Sequence, residues 1–525
     1  CFPALLIRAA GLTSHPFILD GLEAGIGLDV RAVADGLARN PFSTGWLTNP
    51  TLPYFLMAVP VKLLGPSVLS IRVLSPLIGA LTVVAAFWLG TRLWSLEVGL
   101  VTAVLLTGSH FHLHYSRLGL TNVWDGLLLL LALGLLGLAW MEGKNGRATR
   151  LSWLLAGLLI GLNAYVYTAS HLLPLMLLAL LIVALLADRT ALRQQTGHIV
   201  AGGLLAFLVA LPQMLFYSAN PGVFMDRFQS YSILAGQSGW LAQEAIATGR
   251  SQLAILGDQV QRALLAFNAA SDVSPAYRPG VPLLSTIPAI LFVLGVMIAL
   301  LRLRQARHAL LVAALAVTLL FAGALLIETP SSHRLVMIAP LLSLLAALAL
   351  VEIGRWALAL RPGETDRDGD GRTDWLLPIL LIVAMLLSLN EMFFYYGRYR
   401  LSYSFGDRNT EVAQGMADYL NTLDGQASTA YFYGPPNMYV SFPTIPFLVT
   451  AFRENQNLFD VPAVEAESDF DLPTPTGSDL FFIFLPERAG EIEAVKAMYP
   501  NGRAYSHPGH HANPLFYVYE VELGS

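Results

Sequence analysis

The sequence predicts an α-helical polytopic membrane protein with a small C-terminal extracytoplasmic α/β domain. Three observations predict it. Of the 525 residues, 55% are hydrophobic and only 13% charged, with a mean hydropathy of +0.58, whereas a soluble domain carries about 25% charge. Apolar runs long enough to cross a bilayer recur down the chain as far as Tyr396. Lys and Arg gather in alternate connections between those runs, as the positive-inside rule requires.

In order, residues 1–10 read as the last turns of a first transmembrane helix whose beginning is absent. A lipoprotein also starts on cysteine, but the missing initiator Met favours the truncated start. Cys1 is the one cysteine, which excludes an internal disulfide framework and a Cys-based metal site. The runs follow near 71–90, 98–115, 123–141, 152–168, 171–187, 198–217, 283–301, 308–327, 334–353 and 375–396. Each needs about 20 residues to span, and backbone satisfaction in lipid makes them helices. Residues 11–70 are broken by Pro50, Pro53 and Pro60 and read as short interfacial helices; 218–282 is similar, with a helix-compatible stretch from Trp240 to Phe267.

Arg92, then Lys144, Arg147 and Arg150, then Arg189 and Arg193, then Arg302, Arg304 and Arg307, then Arg355, Arg361, Arg367 and Arg372 mark the cytoplasmic connections. Residues 11–70, the turn after Tyr115, 218–282, Glu328–Arg334 and everything after 397 are therefore expected outside. The chain divides into a membrane domain, 1–396, and an extracytoplasmic domain, 397–525. In the latter, 410–423 suits an amphipathic helix. Ala430–Tyr433, Leu480–Leu485 and Leu515–Val521 suit strands, Glu487–Met498 a helix, and Val461–Ser478 a loop. The net charge of −5 gives no reason to expect nucleic acid as a partner.

Within this apolar chain, the island His15–Glu23 is conspicuous. Asp20 and Glu23, three apart, share a face if Leu19–Ala34 is helical, and a membrane-adjacent carboxylate is a candidate general base. The other reading is a helix N-terminus, where acids favour the dipole. His110, His112 and His114 alternate, so only the first and last share a helix face; interfacial hydrogen bonding is the plainer reading and a metal site the alternative. Tyr165, Tyr167 and His171 suit a membrane-surface aromatic belt. Asp366, Asp368, Asp370 and Asp374 imitate a calcium loop, but Leu377 stands where the closing Glu belongs, and a solvated turn is the plainer reading. His507, His510 and His511 read as surface loop.

The island is followed by Asn49-Pro50-Thr51-Leu52, the run Ser70-Ile71-Arg72-Val73-Leu74-Ser75-Pro76-Leu77-Ile78-Gly79-Ala80-Leu81-Thr82-Val83, Gly90-Thr91-Arg92-Leu93-Trp94 and His114-Tyr115-Ser116-Arg117. Over about residues 10–350 this resembles the bacterial protein O-mannosyltransferase-like enzymes, glycosyltransferase family 39, with the membrane-embedded GT-C architecture. The family usually has adjacent Asp and Glu, whereas Gly21 and Leu22 part them here; Asp20 is assigned as base with Glu23 the alternative. The family often has His-Pro-Pro where this chain has Asn49-Pro50-Thr51.

The resemblance implies inverting transfer of a sugar, hexose or pentose, from a polyprenyl-phosphate donor to a hydroxyl of a glycan, lipid or protein acceptor. The setting would be the outer face of a bacterial inner membrane. A lipid phosphate leaves as a stable anion, so one base suffices, whereas a glycosidase needs an acid as well; cations hold the departing phosphate. Arg117 and Arg334, lone cations of otherwise uncharged turns, take that role, with His333 beside the latter. Asn49, Tyr54, Tyr115, Glu328 and Trp46 are assigned to the cavity wall. No cofactor is called for, with room left for a divalent cation. The rivals are a transporter or lipid-carrier translocase without chemistry, for which Asp125 is the nearest buried charge, and a scaffold whose tail does the work.

Overall fold

In the computed structural model, the described residues are all but 43–47, 143–145, 168–171, 188, 236–238, 360–374, 453–456, 464–478, 511–513 and 523–525. The chain opens with α1 (Phe2–Ala9), α2 (Gly21–Ala34), α3 (Leu52–Leu64), α4 (Val68–Arg72), α5 (Leu74–Leu93), α6 (Leu96–Gly108) and α7 (His110–Tyr115). Next come α8 (Asn122–Glu142), α9 (Arg147–Asn163), α10 (Leu173–Ala187), α11 (Arg189–Ala219), α12 (Pro221–Tyr231), α13 (Trp240–Thr248) and α14 (Gln252–Leu265). Then follow α15 (Thr286–Leu301), α16 (Ala306–Thr318), α17 (Ser332–Leu335), α18 (Ala339–Ala359) and α19 (Leu376–Phe393). The chain separates into two compact units.

The first unit comprises 1–12, 38–56 and 72–402. Its centre is α18, whose residues Ala339 to Val351 are all buried; a helix apolar all round belongs inside a bundle. Around it pack α5, α6, α8, α15 and α19. Among the described residues, six helical segments are long and apolar enough to cross a membrane: Val68–Leu93, Asn122–Met141, Leu192–Ala219, Ala306–Ala324, Ser332–Ala359 and Leu376–Ser402. On Leu192–Ala219, large side chains such as Val200, Leu204 and Leu208 face outward, a surface suited to lipid rather than water.

The other expected runs form shorter apolar helices. The run 98–115 is split at Ser109, whose hydroxyl caps α7 by accepting from His112 N. Close approach replaces apolar bulk where α9 meets α11: a Cβ on Gly157 would stand 2.1 Å from the Gly202 carbonyl oxygen, the small-residue contact of membrane helix pairs. The stretch 240–267 is two helices, because Gly249 takes a left-handed φ of 65° and ends α13.

The second unit comprises 13–37, 57–71 and 403–525. Its core is a five-stranded sheet of β1 (Ser428–Tyr433), β2 (Leu458–Asp460), β3 (Asp479–Phe484), β4 (Arg503–Pro508) and β5 (Pro514–Glu522), ordered β2-β1-β3-β5-β4. β1 lies parallel to β2 and β3, while β5 runs antiparallel to β3 and β4. β1 is buried throughout, as a parallel strand covered on both faces should be. Tyr431 stacks on Phe482 at 5.2 Å and Tyr433 on Phe484 at 4.2 Å.

The short α20 (Arg400–Ser402) belongs to the first unit; the second also holds α21 (Arg408–Leu420), α22 (Thr444–Leu448) and α23 (Ile492–Met498). The expected helix 487–498 starts as a 3-10 turn, Pro486–Glu491. Two strands escaped the sequence reading. β2 has three residues, and β4 is an exposed edge with no apolar alternation. His507 therefore lies in a strand, not in a surface loop as its Pro- and Gly-rich setting suggested.

Candidate active site

In the second unit, α2 begins at Gly21 with Asp20 as its N-cap. Asp20 Oδ1 accepts from Leu22 N at 3.2 Å, and Glu23 Oε2 accepts from Asp20 N at 3.4 Å. The three-residue spacing is that of a reciprocal capping box. Both carboxylates are buried. The main chain just before them is clamped from both sides: Leu19 N donates to Gln414 Oε1 at 3.1 Å, and Leu19 O accepts from Thr444 Oγ1 at 3.2 Å. On the far turn of the same helix, Arg31 donates to Pro446 O at 2.9 Å. The acids are thus fixed by local helix chemistry and by α21 and α22.

In the first unit, a polar cluster forms where the 266–282 loop meets the turn before α17. Asp272 Oδ1 accepts from Ser332 N at 2.8 Å and Ser274 N at 3.1 Å, and Oδ2 accepts from the Ser332 hydroxyl at 2.5 Å. Tyr115 Oη lies 2.6 Å from Ser332 Oγ. Burial pushes the Asp272 carboxyl above the usual aspartate range, against those hydrogen bonds. His333 Nδ1 sits between the Ser274 and Ser331 hydroxyls at 2.8 and 3.0 Å, while its carbonyl accepts from Asn122 Nδ2.

Next along α17, the Arg334 guanidinium lies over the Tyr231 ring at 4.6 Å and 3.8 Å from Glu328. Its side chain is 12% exposed and Glu328 is 47% exposed. Arg334 and His333 line a cavity of about 440 Å³ whose other walls include Tyr167, Tyr217, Phe224, Phe228 and Phe321. Among its described lining residues, the cavity combines an apolar trough with the Arg334 guanidinium. Thr48 reaches it too, held by a 2.9 Å bond to Asp226. Asn49 and Tyr54, assigned to the wall from sequence, are buried and are not among its lining residues. Trp46 and His171 lie outside the described residues, as does the Asp366–Asp374 loop.

Arg117, expected at the donor phosphate, is engaged elsewhere. Nη1 donates to Arg8 O at 2.6 Å, to Ile7 O and to Tyr396 Oη, and Nη2 donates to Gly11 O at 3.0 Å. A buried guanidinium on the carbonyls that end α1 completes that helix end. His110 and His114 do share a face: His110 Nδ1 meets Tyr277 Oη at 2.6 Å, and His114 stacks on the Tyr277 ring at 4.1 Å. His112 turns away to Arg8 at 2.9 Å. Among the described residues, no three His, Cys, Asp or Glu side chains gather as a metal site.

Residues 48–216 match the model of the dolichyl-phosphate-mannose-protein mannosyltransferase family. ArnT from Cupriavidus metallidurans, solved with undecaprenyl phosphate, superposes with a TM-score of 0.51 at 14% identity, covering 98% of this chain and 96% of that one. The chain has the GT-C fold.

The oligosaccharyltransferase of Archaeoglobus fulgidus in its apo form shares the GT-C fold, with a TM-score of 0.53 at 13% identity. That match covers 87% of this chain but only 63% of the longer archaeal protein. No curated protein matches by sequence. The matched stretch 48–216 holds Tyr115, yet Asp272, Ser274, Tyr231 and Ser332 fall beyond it. Sequence reasoning missed these four as well. They sit in loops or at helix ends without periodicity, and the one available signal was a polar cluster at Ser331-Ser332-His333-Arg334.

Proposed function

We propose that this GT-C protein transfers a sugar, with inversion, from a polyprenyl-phosphate donor to an acceptor hydroxyl at the outer face of a bacterial inner membrane. The supporting observation is the cavity lined by Arg334: apolar and aromatic walls suit an isoprenoid chain, and one partly buried cation suits the phosphate that joins it to the sugar. Undecaprenyl phosphate bound to ArnT fits this reading. Arg334 holds the phosphate, kept in place by the Tyr231 face and Glu328. His333 is set beside it by Ser274 and Ser331.

In the reaction, the acceptor oxygen attacks the anomeric carbon as the carbon–phosphate-oxygen bond breaks. The electron pair leaves on the phosphate, where the guanidinium stabilises it. The acceptor proton passes to a carboxylate, for which Asp20 is the proposed general base and Glu23 the alternative. Arg117 serves indirectly by completing the end of α1.

The transporter reading has one observation in its favour. Asp125 is fully buried in α8, and neither carboxylate oxygen has a hydrogen-bond partner among the described residues. Proteoliposomes loaded with a polyprenyl-phosphate sugar and an acceptor extract separate the two. Transfer predicts stoichiometric release of polyprenyl phosphate, lost in Arg334→Gln by about 10²-fold or more. Movement of label across the bilayer with the glycosyl phosphate intact would overturn the enzymatic reading.

A further inference from the structure

The second unit has a cavity of its own, about 340 Å³, that the donor does not use. Its walls come from the 403–407 turn, the first turn of α21, the start of β5 and Phe17 of the amino-end island. Phe17 stands three residues before Asp20 in the chain. Glu411, in the cavity wall, and Gln414, which holds Leu19 N at 3.1 Å, are three apart on α21 and so share a face. Gly406 makes the approach close: it takes a left-handed φ of 76°, and a Cβ there would stand 2.7 Å from Ile18 Cδ1. The cavity therefore borders the segment that carries the proposed base.

The walls pair ring surface with hydrogen-bonding groups that neighbours hold in place. Tyr403 has a φ of 48°, rare for a bulky residue. Its ring stacks on His510 at 4.1 Å and meets the Phe17 ring edge-on at 5.0 Å. Glu411 is buried, with Oε1 2.8 Å from both His510 N and His510 Nδ1. Asp407 Oδ1 caps α21 by accepting from Thr410 N at 2.8 Å. The Arg408 guanidinium, half exposed, is set by Glu487. A carboxylate has about four lone-pair sites and a guanidinium five N–H groups, so one cap and one ion pair leave Asp407 and Arg408 capacity for a ligand.

Among the described lining residues, two carboxylates and a guanidinium share one wall. A phosphate would meet Asp407 and Glu411, and an ammonium would meet Arg408. A hydroxyl, which both donates and accepts, suits all three. Pro514 and Leu515 of the wall belong to β5, already paired with β3 and β4, so an extended peptide finds no strand edge to join. Rings beside such groups suit the apolar C–H face of a pyranose. We propose that this cavity is the acceptor subsite and that the acceptor is a neutral glycan. One sugar ring lies against Tyr403 and Phe17, with its hydroxyls on Asp407, Glu411 and Arg408. Another hydroxyl of the same glycan supplies the oxygen that bonds to the anomeric carbon. Its proton passes to Asp20 as the donor's carbon–oxygen bond breaks and the electron pair leaves on the phosphate. That step rests on the transferase reading, whereas the binding of the glycan is read separately.

The test uses the full chain in nanodiscs of deuterated lipid. Saturation-transfer difference NMR is recorded with maltose, cellobiose and methyl α-mannoside, and with the peptide acetyl-Ala-Thr-Ala-amide. Saturation is expected on the ring C–H protons of a sugar and not on the peptide. Tyr403→Leu should weaken sugar binding about tenfold. Asp407→Asn keeps the helix cap and should weaken it about threefold to tenfold, which serves should the first variant misfold. Both variants should retain the lipid donor and raise the KM for a glycan acceptor. Arg334→Gln should lose transfer while sugar binding persists, so a failure of the donor chemistry is told apart from a failure of this cavity. No saturation of any sugar, sugar binding indifferent to folded Tyr403→Leu and Asp407→Asn proteins, or binding of the peptide in place of the sugars would overturn the proposal.

Discussion

Replacing Asp20 separates its two jobs, because the side chain both caps α2 and is the proposed base. In Asp20→Asn the amide oxygen still accepts from Leu22 N, and Asp20 N is a main-chain donor that the substitution leaves facing Glu23. Asn and Asp are near-equal N-caps, so stability should change by no more than a few tenths of a kcal/mol, whereas Ala loses about 1 kcal/mol. An amide cannot take the acceptor's proton, and removing a general base costs about 10²–10⁴ in rate. The assay is consumption of a polyprenyl-phosphate sugar by proteoliposomes, run beside thermal unfolding and donor co-purification. Asp20→Asn should melt with the parent and keep its donor while turnover falls at least about 100-fold. Asn turning over within about twofold of the parent, with Ala losing both stability and rate, would refute the reasoning and leave a cap alone.

Other outcomes follow from the same geometry. Tyr231→Ala removes the ring under Arg334; donor affinity should fall about threefold to tenfold, read by retained lipid, with the fold intact. Gly157→Val puts side-chain atoms where even a Cβ stands 2.1 Å from Gly202 O; α9 and α11 must part, at a cost of about 1–3 kcal/mol in detergent melts. Asp272 gives a pH signature. Its folded pKa is raised by burial, so its contribution to stability is complete below the ordinary aspartate value of about 3.9 and is lost as pH rises through the raised value. Melting temperature should therefore decline over that window on going from acid toward neutral pH. Asp272→Asn should flatten this part of the profile, and an unchanged slope would show that another group sets it.

How far the sequence carried depended on periodicity. α18 was legible because an unbroken apolar run admits little but a buried or membrane helix. β1, β3 and β5 were legible because apolar runs bounded by Gly, Pro and Asp suit buried strands. β4 was not: Arg503-Ala504-Tyr505-Ser506-His507-Pro508 is an edge, held by backbone pairing with β5 that leaves no side-chain pattern. Arg117 and Arg334 looked alike in sequence, each the lone Lys or Arg of its turn. Only the carbonyls of Ile7, Arg8 and Gly11 tell them apart, and those contacts join residues about a hundred positions away. The spacing of Asp20 and Glu23 fitted a shared catalytic face and a capping box equally well, and the observed start of α2 at Gly21 supplies the cap.

The clamp on Leu19 bears on how the protein can be taken apart. A version ending at Ser402 would look like a tidy membrane fragment, yet it would lack Gln414 and Thr444 and with them both bonds that pin the peptide ahead of Asp20. Pro446, the anchor of Arg31, would go too. The far carboxyl end is thus a splint for the amino-end acids, and anyone seeking a smaller working version should trim loops rather than amputate the tail.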